Sequence, residues 1–174
     1  MTCRICPILE GHIASFRDAV DVVARERRYL AFLEAPPLEE ARRFVLHNID
    51  HRYPQFVVLS GQEVVGWCDV IPNRLRIVHA HCGTLGVGLL PAFRGQGIGR
   101  RLMERTMDAA FDFGVTRIEL TVRETNATAI SLYESLGFKR EGFHRNSVCI
   151  DGLYENLYSM AFMNACSGHN SKAD

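Results

Sequence analysis

The chain of 174 residues carries 20 Lys and Arg against 20 Asp and Glu, a formal charge of zero, and 47% of it is hydrophobic. That length suits one domain with a sizeable core, and the balanced charge offers nothing for bulk attraction to nucleic acid or an anionic membrane. No run approaches the roughly 18 apolar residues of a membrane span, and the N-terminus is not a charged segment leading into an apolar one. A cytoplasmic protein with small-molecule partners, without nucleic acid or membrane, is the expectation.

In chain order, Thr2 to Leu9 is the first expected strand. Cys3-x-x-Cys6 has the separation of a metal knuckle or redox pair, but no second knuckle accompanies it and Cys68, Cys82, Cys149 and Cys166 are scattered. Reduced, mostly buried thiols and no metal are expected. Ile13, Phe16, Val20, Val23, Arg27 and Leu30 recur at helical spacing as one stripe. Ala35-Pro36-Pro37 breaks that pattern. A second helix then sets Leu38, Ala41, Val45 and Ile49 against Glu39, Glu40, Arg42 and Arg43, and Pro54 ends it. Phe56 to Leu59 and Val64 to Val70 read as strands joined through Ser60-Gly61-Gln62. A fourth strand runs from Ala80 to Leu89, where Gly83, Gly86 and Gly88 mark a bulge or a close backbone approach.

The segment Val87 to Arg101 carries the strongest functional signal, because strand-like residues give way to a glycine-rich turn and then to a helix. Gly95, Gly97 and Gly99 clear side chains from the backbone, and the free amides of a helix start point toward the space they leave. Arg94, Arg100 and Arg101 add positive charge, which makes the segment a cradle for a diphosphate. A magnesium nucleotide does not fit, since no Lys-Ser/Thr follows Gly99. The G-x-G-x-G spacing also fails the dinucleotide fingerprint G-x-G-x-x-G. Glu119 lies 20 positions after Gly99 but sits in an alternating strand.

The helix after the loop turns Ile98, Leu102, Thr106, Ala109 and Phe113 inward and ends near Gly114. Strand 116–122 follows it closely, completing a right-handed β-α-β unit. The next helix starts at Thr125 or Asn126 and stops at Gly137. Val148 to Ile150 and Leu153 to Phe162 flank Asp151-Gly152, a type I′ hairpin signal. Residues 1–163 read as a single domain and 164–174 as a disordered tail.

Arg94-x-x-Gly97-x-Gly99 resembles the acyl-CoA diphosphate loop of the GNAT superfamily of N-acetyltransferases. Downstream, Asn126-x-x-Ala129 followed by Tyr133 and Gly137-Phe138 resembles the second cofactor motif of that superfamily, in the right order, and the likeness covers residues 56–163. The resemblance implies an α+β fold: a central, mostly antiparallel mixed sheet with about four flanking helices. Its fourth and fifth strands splay apart to admit the pantetheine arm. Acetyl-CoA is the implied co-substrate. Backbone groups of Val87 and Leu89 would meet the pantetheine amides, the segment Arg94, Gly95, Gln96, Gly97, Ile98, Gly99 and Arg100 would hold the diphosphate, and Asn126 would touch the arm. Acetyl transfer would go directly to a primary amine, with Tyr133 as general acid at the thioester sulfur; a half-buried aromatic is the other reading of Tyr133.

The glutamate that many members carry on the fourth strand has no counterpart between Ala80 and Val87. Candidate bases are Glu34, in the loop that overhangs the acceptor site in this fold, and His79 or His81, while relay through ordered water is equally compatible. A solvated helix-end carboxylate is the other reading of Glu34. Gly137 to Gly142, with Ile150 to Asn156 and Met160, resembles members that acetylate free amino acids or related small amines, the phosphinothricin-type enzymes included. The expected acceptor is therefore a small-molecule primary amine. A protein N-terminus or side chain, and a non-catalytic acyl-CoA-binding module, are the alternatives. Tyr154, Tyr158 and Phe162 are candidates for a homodimer surface or for core-facing strand positions.

Overall fold

Amphipathic helices lie on both faces of one twisted sheet in the computed structural model, which describes residues 3–164. The expected tail, apart from Asn164, lies outside the described residues, as does Cys166. The elements are β1 (Cys3–Pro7), α1 (Ile13–Arg25), α2 (Leu38–Asp50), β2 (Gln55–Ser60), β3 (Glu63–Pro72), β4 (Cys82–Leu89), α3 (Ile98–Asp112), β5 (Arg117–Arg123), α4 (Ala127–Ser135), β6 (Lys139–Ile150) and β7 (Leu153–Met163). The strands are ordered β1-β2-β3-β4-β5-β7-β6, and every neighbouring pair is antiparallel except β4 and β5. The fold is thus the expected mixed, mostly antiparallel α+β sheet with four α-helices.

One core forms where Phe16, Val20 and Val23 of α1 and Val45 of α2 meet Val57, Leu59, Val64 and Trp67. Phe16 meets Trp67 edge-to-face at 5.9 Å between centroids, a favoured aromatic geometry. The opposite face buries Leu102, Met103 and Met107 of α3 and Ile130 and Tyr133 of α4 against Val58, Cys68, Val70, Ile118 and Leu120. Alternation along β3 divides these faces, sending Trp67 toward α1 and Cys68 toward α4.

Two expectations need correction, and the β4 glycines resolve to one of their two readings. The first helix ends at Arg25, short of Leu30, because Arg27 takes a left-handed φ of 59° and the carbonyls of Arg27 and Leu30 accept hydrogen bonds from buried Arg123. Strand β6 begins at Lys139, well before the Val148 expected. It is an exposed edge strand whose register against β7 shifts between Arg140 and Gly142 and again between His144 and Val148, so its sequence lacks a clean alternation. The register of β4 against β3 is unbroken, so its glycines mark close approach and no bulge. A Cβ on Gly88 would stand 2.3 Å from the Trp67 ring, which is fixed by Phe16. Of the candidate interface residues, Tyr154 is 65% exposed, whereas Tyr158 and Phe162 pack against the α3 and α4 core.

Candidate active site

Strands β4 and β5 pair only through Cys82↔Arg117, Gly83↔Ile118 and Thr84↔Glu119, whereas β4 stays paired with β3 as far as Gly66↔Leu89. Beyond Thr84 the two strands splay, leaving one edge of Leu85 to Leu89 without a strand partner. The backbone N–H of Leu90 donates to the Val65 carbonyl on β3, and the Asn73 N–H donates to the Cys82 carbonyl. Even-numbered positions of β4 therefore face β3. By alternation, the N–H and C=O groups of Leu85, Val87 and Leu89 face the open edge. A buried strand edge of this kind requires polar partners, and an extended amide-bearing chain supplies them.

The glycine loop lies at the end of that edge. Gly95 and Gly97 have φ of 72° and 74°, and Gly97 is the N-cap of α3. The first bond of the helix runs from the Arg101 N–H to the Gly97 carbonyl at 3.3 Å. Among the described residues, no backbone amide from Gly95 to Arg100 donates to a backbone carbonyl. Six free donors at the positive end of a helix dipole suit a diphosphate. Gly99 has a packing role, since a Cβ there would meet Leu89 Cδ1 at 3.3 Å.

The polar side chains of the loop are largely engaged within the protein. Arg94 Nε donates to the Leu89 carbonyl at 2.9 Å, its terminal nitrogens pair with Glu26 just past α1, and its guanidinium lies 4.8 Å from the Tyr29 ring centroid. Arg100 bonds the Ser135 hydroxyl and tethers α3 to α4. Gln96 Nε2 donates to the Ala92 carbonyl at 2.9 Å. The backbone amides are thus the unspent donors, and Arg94 braces the loop against the segment after α1.

Asn126 caps α4, with its side-chain oxygen accepting the Ala129 N–H at 3.2 Å, which leaves its amide nitrogen free for another partner. Seven residues on, Tyr133 is 8% exposed and shares an apolar cluster with Cys68 and Leu85, against which Val87 and Leu89 pack. Burial, with the Cys68 thiol nearby as a smaller cause, holds its phenol well above the usual range. Tyr133 therefore keeps its proton at neutral pH, as a proton donor must.

The segment between α1 and α2 is held down over the sheet. Arg123, at the end of β5 and 4% exposed, donates to the carbonyls of Arg27 and Leu30 at 2.8 and 3.1 Å and lies 3.4 Å from Glu155. Arg27 pairs at 2.7 Å with Asp151 in the β6–β7 turn. Glu34 sits on this segment with a side chain 75% exposed, 3.7 Å from Arg25. His79 and His81 lie on the surface near the start of β4, at the end away from the glycine loop, where His81 Nε2 is 3.4 Å from Cys82 Sγ.

Sequence reasoning missed Asp69, Arg123 and Glu26. Asp69 had a visible signal, a lone carboxylate in the apolar run Val64 to Val70, but Arg123 and Glu26 look like ordinary surface charges until the fold is known. Among the described residues no group of three His, Cys, Asp or Glu side chains could hold a metal ion, and no helix is long and apolar enough to cross a membrane.

A half-open parallel pair ending in a ring of free amides, with a protonated phenol alongside, defines the architecture of an acyl-CoA-binding transferase fold. Residues 20–138 match the Acetyltransferase (GNAT) family, and the chain belongs to that family. It is 46% identical over 99 residues to a [ribosomal protein bS18]-alanine N-acetyltransferase of Escherichia coli K12, a match spanning 57% of this chain and 64% of that protein, less than two thirds of the relative's length. Its fold is shared with YncA from Salmonella typhimurium, solved with acetyl-CoA, at TM-score 0.89 and 18% identity over 100% of this chain and 99% of that one. A phosphinothricin acetyltransferase from Sinorhizobium meliloti, solved with acetyl-CoA, gives TM-score 0.88 and 17% identity over 99% and 96% of the two chains.

Proposed function

We propose that the chain is an acetyl-CoA-dependent N-acetyltransferase acting directly on a primary amine, most suitably a free amino acid or a related small molecule. The observation that carries this reading is the open edge of β4 running into the free amides of Gly95 to Arg100, with Tyr133 beside it. Backbone groups of Val87 and Leu89 would hold the pantetheine arm; because the Leu89 carbonyl already accepts from Arg94, Leu89 would serve through its N–H. The loop amides would hold the diphosphate. When bound, acetyl-CoA supplies an activated acetyl thioester. Tyr133 would protonate the departing sulfur. A cleft of about 1010 Å³ on the α2 face of β3 and β4 offers room for a small acceptor.

A second reading is favoured by the 46% identity to the bS18-alanine enzyme: the α-amine of a protein N-terminus as acceptor. Thiol release from acetyl-CoA, measured across free amino acids, polyamines and short peptides with free N-termini, separates the two. At least tenfold higher kcat/KM for a free amino acid or polyamine supports the first, and the reverse ranking supports the second. Coenzyme binding without turnover on any amine overturns both in favour of a non-catalytic module. Homodimerisation in solution is a further expectation, checked by sedimentation.

The loop over the sheet gives a separate prediction. Arg123→Ala removes charge-assisted bonds to two backbone carbonyls, so a loss of about 3 kcal/mol in stability is expected. Denaturant midpoints read that loss.

A further inference from the structure

An ammonium substrate must lose a proton before it can attack, and β4 carries no carboxylate near the splay. The adjacent strand does. We propose that Asp69 of β3 is the general base of this enzyme, reaching the amine across the side-chain gap at Gly86; the assignment rests on the acetyl-transfer reading above.

Asp69 lies directly opposite Gly86, two residues past the last β4–β5 pair at Thr84. A Cβ built on Gly86 would stand 3.1 Å from Asp69 Oδ1, so the carboxyl group occupies the space that glycine leaves free. Its side chain shares the Trp67 face of β3 and lines the acceptor-side cleft with His47 and His51 of α2. Cys68, the preceding residue, points to the other face and joins the cluster of Tyr133. Proton acceptor and proton donor thus lie on opposite faces of the sheet beside its opening.

The carboxyl group is also unspent. Asp69 is 8% exposed, yet no hydrogen bond or ion pair from the described residues engages it. Its oxygens open onto the cleft, where an amine can reach them. Burial raises its pKa to about 7, so near neutrality it both accepts and releases a proton. The other titratable or charged groups lining the cleft are His47 and His51 from α2, Tyr53 before β2 and Arg74 after β3, and the Arg74 guanidinium rests 5.1 Å from the Phe113 ring centroid.

The protons balance. Asp69 takes one from the ammonium, and the freed lone pair forms the C–N bond as the C–S bond breaks. Tyr133 gives its hydroxyl proton to the sulfur and recovers one from the nitrogen as the amide forms. Asp69 then returns its proton to solvent through the cleft, so each transfer releases one proton overall.

The test uses Asp69→Asn and Asp69→Ala with the best amine from the thiol-release panel. Asp69→Asn should lower kcat/KM by about 10²-fold or more, with acetyl-CoA affinity within about twofold, and should abolish the acidic limb expected of the wild type near pH 7. The loss should be smaller for an α-amine, titrating near 8, than for a lysine side-chain amine near 10.4, since more of the former is already neutral. Two readouts need no coenzyme. Carboxyl carbon NMR of the free wild-type protein should show one aspartate titrating near pH 7, missing in Asp69→Asn. Because the folded carboxyl binds its proton more tightly than the unfolded one, wild-type Tm should fall relative to Asp69→Asn as pH rises from about 4 to 7. Should the variants fail to fold, the wild-type NMR titration decides, and a midpoint below 5 overturns the proposal. An Asp69→Asn enzyme within threefold of wild type, with the same acidic limb, overturns the base alone, whereas a wild type that binds acetyl-CoA and acetylates no amine overturns the acetyl-transfer reading with it.

Discussion

Tyr133→Phe is expected to lower turnover by about 10²- to 10⁴-fold with every amine the wild type accepts, while acetyl-CoA affinity changes by no more than about threefold. The ring packs with Phe138 at 5.9 Å between centroids inside the α3–α4 core, so phenylalanine preserves the packing and removes only the hydroxyl group. Removing the proton donor leaves the sulfur to depart as a thiolate. The effect should therefore fall mainly on kcat, as expected for an interaction made in the transition state. An acetyl thioester of a more acidic thiol should recover part of the lost rate, a response that a packing defect would not give. Single-turnover kinetics combined with calorimetry of coenzyme binding make the measurement, and unchanged kcat would remove Tyr133 from the proton-donor role.

The legible parts of this chain are those where local chemistry decides conformation. Gly61, Gly97, Gly137 and Gly152 take positive φ in turns, caps and loop, and Asn126 caps α4 as its side chain predicts. Strand β6 was hidden because an edge strand with solvent on its flank and two register shifts shows no period of two. The α1–α2 segment was misread as helix because Leu30 keeps helical spacing. What ends the helix is a distant residue, Arg123, which draws two backbone carbonyls out of register with any helical bond. Asp69 stands out in its apolar run, but its role is unreadable there for a related reason. Its meaning comes from Gly86 on the next strand and from the loss of β5 beyond Thr84, both properties of pairing and not of spacing.

Arg94 illustrates how a motif residue is read differently once the fold is in view. The sequence places it among the diphosphate contacts, and the structure has it bonded to Glu26 and the Leu89 carbonyl. Both bonds pin the start of the loop to the end of α1 and to β4, so Arg94 can orient the amides without spending its own charge on the ligand. In the proposed coenzyme site, anion recognition would then rest on backbone conformation, which substitutions can test only through φ.

Gly97→Val is accordingly expected to raise the Kd for acetyl-CoA by about 10²-fold or more. Gly97 has φ of 74° and ψ of −2°, a left-handed conformation that a β-branched residue adopts only at a cost of roughly 1–2 kcal/mol. Nothing lies within 4 Å of a Cβ at this position, so the strain comes from the backbone and not from a clash. Relief of that strain rotates the amides that follow Gly97 away from the diphosphate. Losing two hydrogen bonds to a charged acceptor, at about 1.5–3 kcal/mol each, accounts for the weakening. Gly97→Asn is the control, because asparagine tolerates the left-handed region. It should lose much less affinity than valine, with both variants retaining a cooperative thermal transition. Equal losses for asparagine and valine would place the effect in the added side chain and not in φ, and would contradict a cradle built from backbone amides.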